Sequence, residues 1–178
     1  MKRATQGNQD ALREIYNAYF PAIFRYIRLR TNQVQEAEDL TGDVFLKLVT
    51  AFQKKRMPRK SLRGWLFRVA HNIMVDHYGK KQRFTQTAIE EWIPATDSAN
   101  PEIQFVKTVS AEIARDALQN LVFEQQEVII LRFGHMLSLQ ETADIMNKSV
   151  QAVKSLQFRA LNNLRKILER ARIENPDG

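Results

Sequence analysis

Apolar residues recur at three- and four-residue intervals along nearly the whole chain, and no strictly alternating pattern runs longer than a few residues. A repeat near 3.6 belongs to helices and a repeat of two to strands, so the expected fold class is all-α. Ala11, Leu12, Ile15, Tyr16 and Tyr19 form the first stripe, with Asn8 placed to cap it. Pro21 is expected to break or kink that helix ahead of Ile23, Phe24 and Ile27, because proline lacks the amide that the helical ladder needs. A second helix is expected from Gln35 to about Phe52. Its stripe is Ala37, Leu40, Val44, Phe45, Leu48 and Phe52, with Glu36, Asp39 and Asp43 on the other side. The segment Lys54–Lys60 combines Pro58 with a run of lysines and arginines and reads as a solvated loop. A third helix follows from Ser61 or Leu62 to near Gly79, with Trp65, Leu66, Val69 and Ile73 as its inner stripe.

Periodicity then fades between Phe84 and Pro101, where Pro94–Pro101 has linker composition. Helices resume at about Glu102–Leu121, Glu124–Phe133, Ser138–Met146 and Val150–Arg172. The 178 residues therefore divide into two small helical domains, 1–92 and 109–178, joined by a flexible linker over 93–108.

Charge is distributed unevenly between those parts. The chain carries 27 Lys plus Arg against 20 Asp plus Glu, a net charge of +7. Residues 1–92 hold 17 basic and 9 acidic residues, a net of +8, whereas 109–178 hold 9 of each. From Val44 to Val75 there is no acidic residue at all. In the second half Ile145–Ile173 carries 7 basic residues and Glu169 alone as an acid. A solvated helix face mixes signs, so two separated basic surfaces point to a polyanionic partner.

Ser138-Leu-Gln-Glu141 has the spacing of a capping box, in which serine and glutamate each satisfy the other's orphan amide. The helix it starts offers the small Ala143 for close approach, and Asn147-Lys148-Ser149 supplies a short turn before the next helix. That is the outline of a DNA-binding helix-turn-helix. Winding the second helix at 100° per residue sets Val150, Val153, Leu161, Leu164 and Leu168 inward and Gln151, Ser155, Phe158, Arg159 and Asn162 outward, with Lys154 at the edge. Glutamine pairs with adenine and arginine or lysine with guanine, so Gln151, Lys154, Ser155 and Arg159 are the candidate readers of duplex DNA. Phe158 could meet a thymine methyl, touch a protein or pack on a neighbouring helix.

In the amino-terminal half, Ser61-Leu-Arg-Gly-Trp-Leu-Phe-Arg-Val-Ala-His-Asn72 interleaves aromatic and basic residues behind a cationic loop, the mixture that suits unpaired nucleic acid. Trp65 and Phe67 are expected in the core. Arg63, Arg68 and Asn72 are the surface candidates, with Lys80, Lys81 and Arg83 extending the positive track.

These segments together resemble the extracytoplasmic-function (group IV) sigma factors of the sigma-70 family, initiation subunits of bacterial RNA polymerase. Glu36-Ala-Glu-Asp-Leu-Thr-Gly-Asp-Val-Phe-Leu-Lys-Leu is similar to the polymerase-binding part of sigma region 2, and Leu62–Asp76 to its part that melts and reads the minus-ten element. Gln125–Phe133, Ser138–Met146 and Ser149–Ser155 are similar to region 4. Gly42 stands where the family usually carries a longer polar residue, and Leu156 and Phe158 where many relatives carry Arg and His. The resemblance implies core RNA polymerase and promoter DNA, duplex and single-stranded, as partners. Glu36, Asp39, Leu40, Asp43 and Phe45 would then meet the polymerase. The loop Lys54–Gly64, with Arg56, Lys60 and Ser61, would join Asn72 in holding a flipped minus-ten base, with Arg63, Arg68, Lys80 and Lys81 on phosphates. Gln151, Lys154, Ser155, Phe158 and Arg159 would meet the minus-thirty-five element. An anti-sigma factor clasping both domains is a further implication.

Other function classes fit less well. The chain has no cysteine, so thiolate catalysis and cysteine-ligated metals are excluded. His71 and His77 are six apart and do not share a helix face as a metal pair would, and no phosphate-binding glycine loop is present. Neither enzymatic activity nor a cofactor is expected. With no apolar run near the ~20 residues that span a bilayer, the expected location is cytoplasmic, at the nucleoid, without membrane insertion. The alternative is a stand-alone helix-turn-helix regulator, which leaves the acid-free stretch Val44–Val75 without a purpose.

Overall fold

The computed structural model describes residues 9–58, 60–82 and 111–174, and among them there are helices, turns and loops but no strand. The cap expected at Asn8, the linker 93–108 and the helix expected over 102–110 lie outside the described residues. The chain splits into two compact units, an amino-terminal one and a carboxy-terminal one.

Three helices make the first unit: α1 (Gln9–Arg28), α2 (Val34–Gln53) and α3 (Leu62–Gln82), each packed on the other two. Pro21 does not break α1, which runs through it without interruption. A mid-helix proline costs about 3 kcal/mol. Burial of Ile23, Tyr26 and Ile27, all fully enclosed, offsets it at roughly 1.5–3 kcal/mol per side chain. From α2 the stripe Ala37, Leu40, Val44, Phe45 and Leu48 is buried as its spacing demands. The inner face of α3 is shifted from the expected one: Leu66, Phe67, Ala70, Ile73 and Met74 are buried, whereas Trp65 and Val69 are half-buried. Tyr26 meets Phe67 edge-on at the centre, ring centroids 5.4 Å apart.

Turn chemistry sets the helix ends. Lys55 adopts a left-handed φ of 53°. The Arg56 amide then donates to the Ala51 carbonyl at 2.8 Å and the Lys55 amide to Phe52 at 3.0 Å, which closes α2 as a Schellman motif. Ser61 caps α3 by accepting from the Gly64 amide at 3.0 Å. A Cβ at Gly64 would lie 3.3 Å from that same hydroxyl, so the cap and the glycine go together.

The carboxy-terminal part of the chain forms α4 (Ala111–Gln119), α5 (Phe123–Ile129), α6 (Leu139–Met146) and α7 (Val150–Glu174), with α4 and α5 packed on α7. The helix expected to reach Phe133 is α-helical only to Ile129. It widens into a π turn over Ile130–Gly134, where the His135 amide donates to the Ile130 carbonyl. π turns cluster at functional sites because they re-aim side chains. Here Arg132 gains two partners, donating to Gln157 Oε1 at 2.9 Å and to the Leu137 carbonyl.

Candidate nucleic-acid interface

On α3, at about 100° per residue, Arg68, Asn72, Val75 and Gly79 fall within a sector of about 60°, and Trp65 lies some 20° beyond Asn72. All of them are exposed except Trp65, which is half-buried. The indole that spacing alone assigns to the core therefore stands beside Asn72 and Arg68, giving the outer face an aromatic ring, a cation and an amide. Asp76, also exposed, edges the same arc. Arg63 belongs elsewhere. It is exposed in the first turn, about 140° around the helix from Arg68, its guanidinium 5.9 Å from the Phe67 ring centroid. Arg56, Lys60 and Ser61 are exposed at the loop leading into α3, with the Ser61 hydroxyl engaged as the helix cap. Lys80 and Lys81 lie in the last turn of α3; their side chains, like Arg59, fall outside the described set.

The polar side of α2 carries Asp39, Gly42 and Asp43, all exposed, on the same strip as Leu46, whose side chain is 64% exposed. A Cβ at Gly42 would meet nothing within 4 Å, so this strip is open. Leu40 and Phe45 are instead 8% and 6% exposed, and the Phe45 ring packs edge-on against Tyr16 at 4.7 Å. They belong to the inside of the bundle. Glu36 turns toward α3, its Oε1 2.7 Å from His77 Nε2. Leu46 is the residue that periodicity missed; its only signal is an apolar side chain off the inner stripe, three residues after Asp43.

In the carboxy-terminal unit the capping box forms with both of its bonds. The Ser138 amide donates to Glu141 Oε2 at 2.8 Å and the Glu141 amide to Ser138 Oγ at 3.1 Å. Asn147, at φ 53°, ends α6, and the Lys148 amide returns to the Ala143 carbonyl at 3.0 Å. Ser149 then caps α7 by accepting from the Ala152 amide at 3.1 Å. With both ends fixed, α7 has a defined rotation. Val153, Leu156, Ala160, Leu161, Leu164 and Leu168 are buried. Gln151 and Lys154 are exposed and Ser155, Phe158 and Arg159 half-exposed across an outer arc of about 140°. Leu156, 5% exposed, belongs to the core. Phe158 lies on the outer arc among the polar candidates.

Burial, and then the Glu36 carboxylate, push the Tyr78 hydroxyl above the usual value of 10.0. Among the described residues no cluster of three or more His, Asp or Glu side chains is arranged to hold a metal, and no helix is long and apolar enough to cross a membrane.

Comparison with known proteins adds an independent line. Residues 15–84 match the family model for sigma-70 region 2 and residues 117–166 that for sigma-70 region 4. The chain is 31% identical over 169 residues to the RNA polymerase sigma factor YlaC of Bacillus subtilis, covering 94% of this chain and 97% of YlaC. It is also 31% identical over 169 residues to the ECF RNA polymerase sigma factor BldN of Streptomyces coelicolor, spanning 64% of that longer protein. Among solved structures, the sigma factor RpoE in complex with the anti-sigma factor NepR from Bartonella quintana shares the fold at a TM-score of 0.67 and 22% identity, over 88% of this chain and 96% of RpoE. CnrH in complex with the cytosolic domain of CnrY does so at 0.67 and 23%, over 95% and 94%.

Proposed function

This chain belongs to the extracytoplasmic-function sigma factors of the sigma-70 family, and on that premise we propose that it binds core RNA polymerase, directs it to promoters and assists DNA opening. The observation that carries this reading is the amino-terminal unit's pair of unlike surfaces. One is the acidic and apolar strip of Asp39, Asp43 and Leu46 on α2, the other the Trp65, Arg68 and Asn72 face on α3. A regulator that binds duplex DNA alone has no use for either. Asp39 and Asp43 meet cations of the polymerase while Leu46 packs against it. Asn72, Arg68 and Trp65 hold a minus-ten base and its backbone, supported by Arg56, Lys60, Ser61, Arg63, Lys80 and Lys81. Gln151, Lys154, Ser155, Phe158 and Arg159 read the minus-thirty-five duplex, helped by the amide-lined amino terminus of α7. The units fall at 1–92 and 109–178, with 93–108 as tether.

Magnitudes explain why polymerase is required. Opening about five base-pair steps at roughly 1.4 kcal/mol each costs about 7 kcal/mol. Capturing one or two bases returns about 1–3 kcal/mol apiece, so the remainder comes from polymerase contacts. The chain supplies binding and no catalysis of its own, works in the cytoplasm at the nucleoid, and is open to sequestration by an anti-sigma factor. Run-off transcription from a genomic fragment library with reconstituted core enzyme tests the reading. Defined start sites that depend on the chain are expected. Permanganate-reactive thymines produced by the chain without core enzyme would refute the division of labour.

A further inference from the structure

Glu36 occupies the first turn of α2, where exposed amides favour a carboxylate. Its Oε1 lies 2.7 Å from Nε2 of His77 on α3, with the two side chains 22% and 31% exposed. The neighbouring Tyr78 hydroxyl donates to the carbonyl of Arg30, whose guanidinium lies 4.0 Å over the Tyr26 ring. Two successive residues of α3 are thus tied to the start of α2 and to the α1–α2 corner. The apolar contacts of Leu66, Phe67, Ala70, Ile73 and Met74 already hold α3 in the bundle. One partly buried hydrogen bond adds little net stability to such a core. What it adds is direction: packing tolerates small rotations of a helix about its own axis, whereas a 2.7 Å hydrogen bond between side chains of two helices does not.

Asp39, one turn after Glu36, is on the strip that meets polymerase, and Asn72, five residues before His77, is on the face that meets DNA. We propose that Glu36 and His77 are a positioning pair that fixes the rotation of α3 against α2, so that docking through α2 presents Asn72 to the minus-ten base. This rests on the proposed function, since it assumes that α2 meets polymerase and α3 meets DNA.

The test uses full-length chain reconstituted with core enzyme and reads two quantities separately: holoenzyme affinity, and the rate of open-complex formation from permanganate-reactive thymines. His77→Ala is expected to slow opening about five- to tenfold, the scale of coupling within one bonded pair, at unchanged holoenzyme affinity, and Glu36→Ala to slow it comparably. The double variant should be no slower than the slower single, and His77→Gln, whose amide keeps a donor opposite Glu36, should recover most of the rate. Additive losses, a parallel loss of holoenzyme affinity in His77→Ala, or a His77→Gln chain no faster than His77→Ala would each overturn the proposal. Wild-type chain that assembles with core enzyme yet opens no promoter would overturn the functional reading itself, a result distinguishable from all of these.

Discussion

Arg132 and Gln157 are joined across the carboxy-terminal unit by a 2.9 Å hydrogen bond from Nε to Oε1, which ties the π turn ahead of the helix-turn-helix to the reading helix behind it. Arg132 also holds the Leu137 carbonyl, at the entry to α6. Hydrogen bonds to a charged group are worth about 1.5–3 kcal/mol each when lost. Arg132→Ala is therefore expected to lower the stability of this unit by about 2 kcal/mol and speed amide exchange along α6 and α7. Unchanged exchange in both helices would show that the link is dispensable.

The two DNA-facing surfaces should respond differently to salt and sequence. Asn72→Ala is expected to impair selection at the minus-ten element and leave upstream duplex binding intact. Arg159→Ala should cost about 1–3 kcal/mol upstream and relax preference at one base pair. Lys154→Ala should weaken all duplexes alike and, if it meets phosphate, reduce the slope of affinity against salt by about one. Titrations of promoter fragments at several salt concentrations separate the three.

Leu46 sits outside the core, so replacing it leaves the bundle undisturbed. Leu46→Asp and Asp43→Lys should each reduce holoenzyme assembly more than tenfold in a competition assay, a loss of at least about 1.4 kcal/mol, with melting temperature shifted little. A variant that assembles like wild type would remove its residue from the polymerase surface.

Tyr78 predicts an alkaline limit for the amino-terminal unit. Burial and Glu36 raise its value above 10.0 in the folded chain, so the fold favours the neutral phenol. That contribution is complete below pH 10 and is lost as pH climbs from there through the folded value, because the unfolded chain releases its proton first. Tyr78→Phe removes the bond to the Arg30 carbonyl, costing about 1 kcal/mol at neutral pH, and should flatten the fall in stability above pH 10. Parallel alkaline curves for the two chains would contradict this.

Local rules carried the sequence reading furthest. Ser138 and Glu141 satisfy each other three residues apart, and Ala143, Asn147 and Ser149 complete a turn whose partners are all near neighbours. Where the competing term was tertiary, spacing misled. Pro21 stays helical because α1 is packed on both of the other helices. Trp65 is only half-buried because the inner face of α3 is turned toward Phe67, two residues on and about 160° around the helix, which meets Tyr26. Glu36 read as an outward-facing polymerase contact because its partner His77 is 41 residues distant. Leu40 and Phe45 read as contact residues on the strength of a motif, whereas their own stripe already placed them inside.

The π turn at Ile130–Gly134 amounts to one residue more than an α-helix would use over the same rise. Deleting a residue there would let the segment close into ordinary helix over the same rise, holding the flanks in register while turning side chains inside the stretch by about 100° and carrying Arg132 away from Gln157 and Leu137. The length of this short stretch, more than its composition, calibrates where the Arg132 guanidinium points.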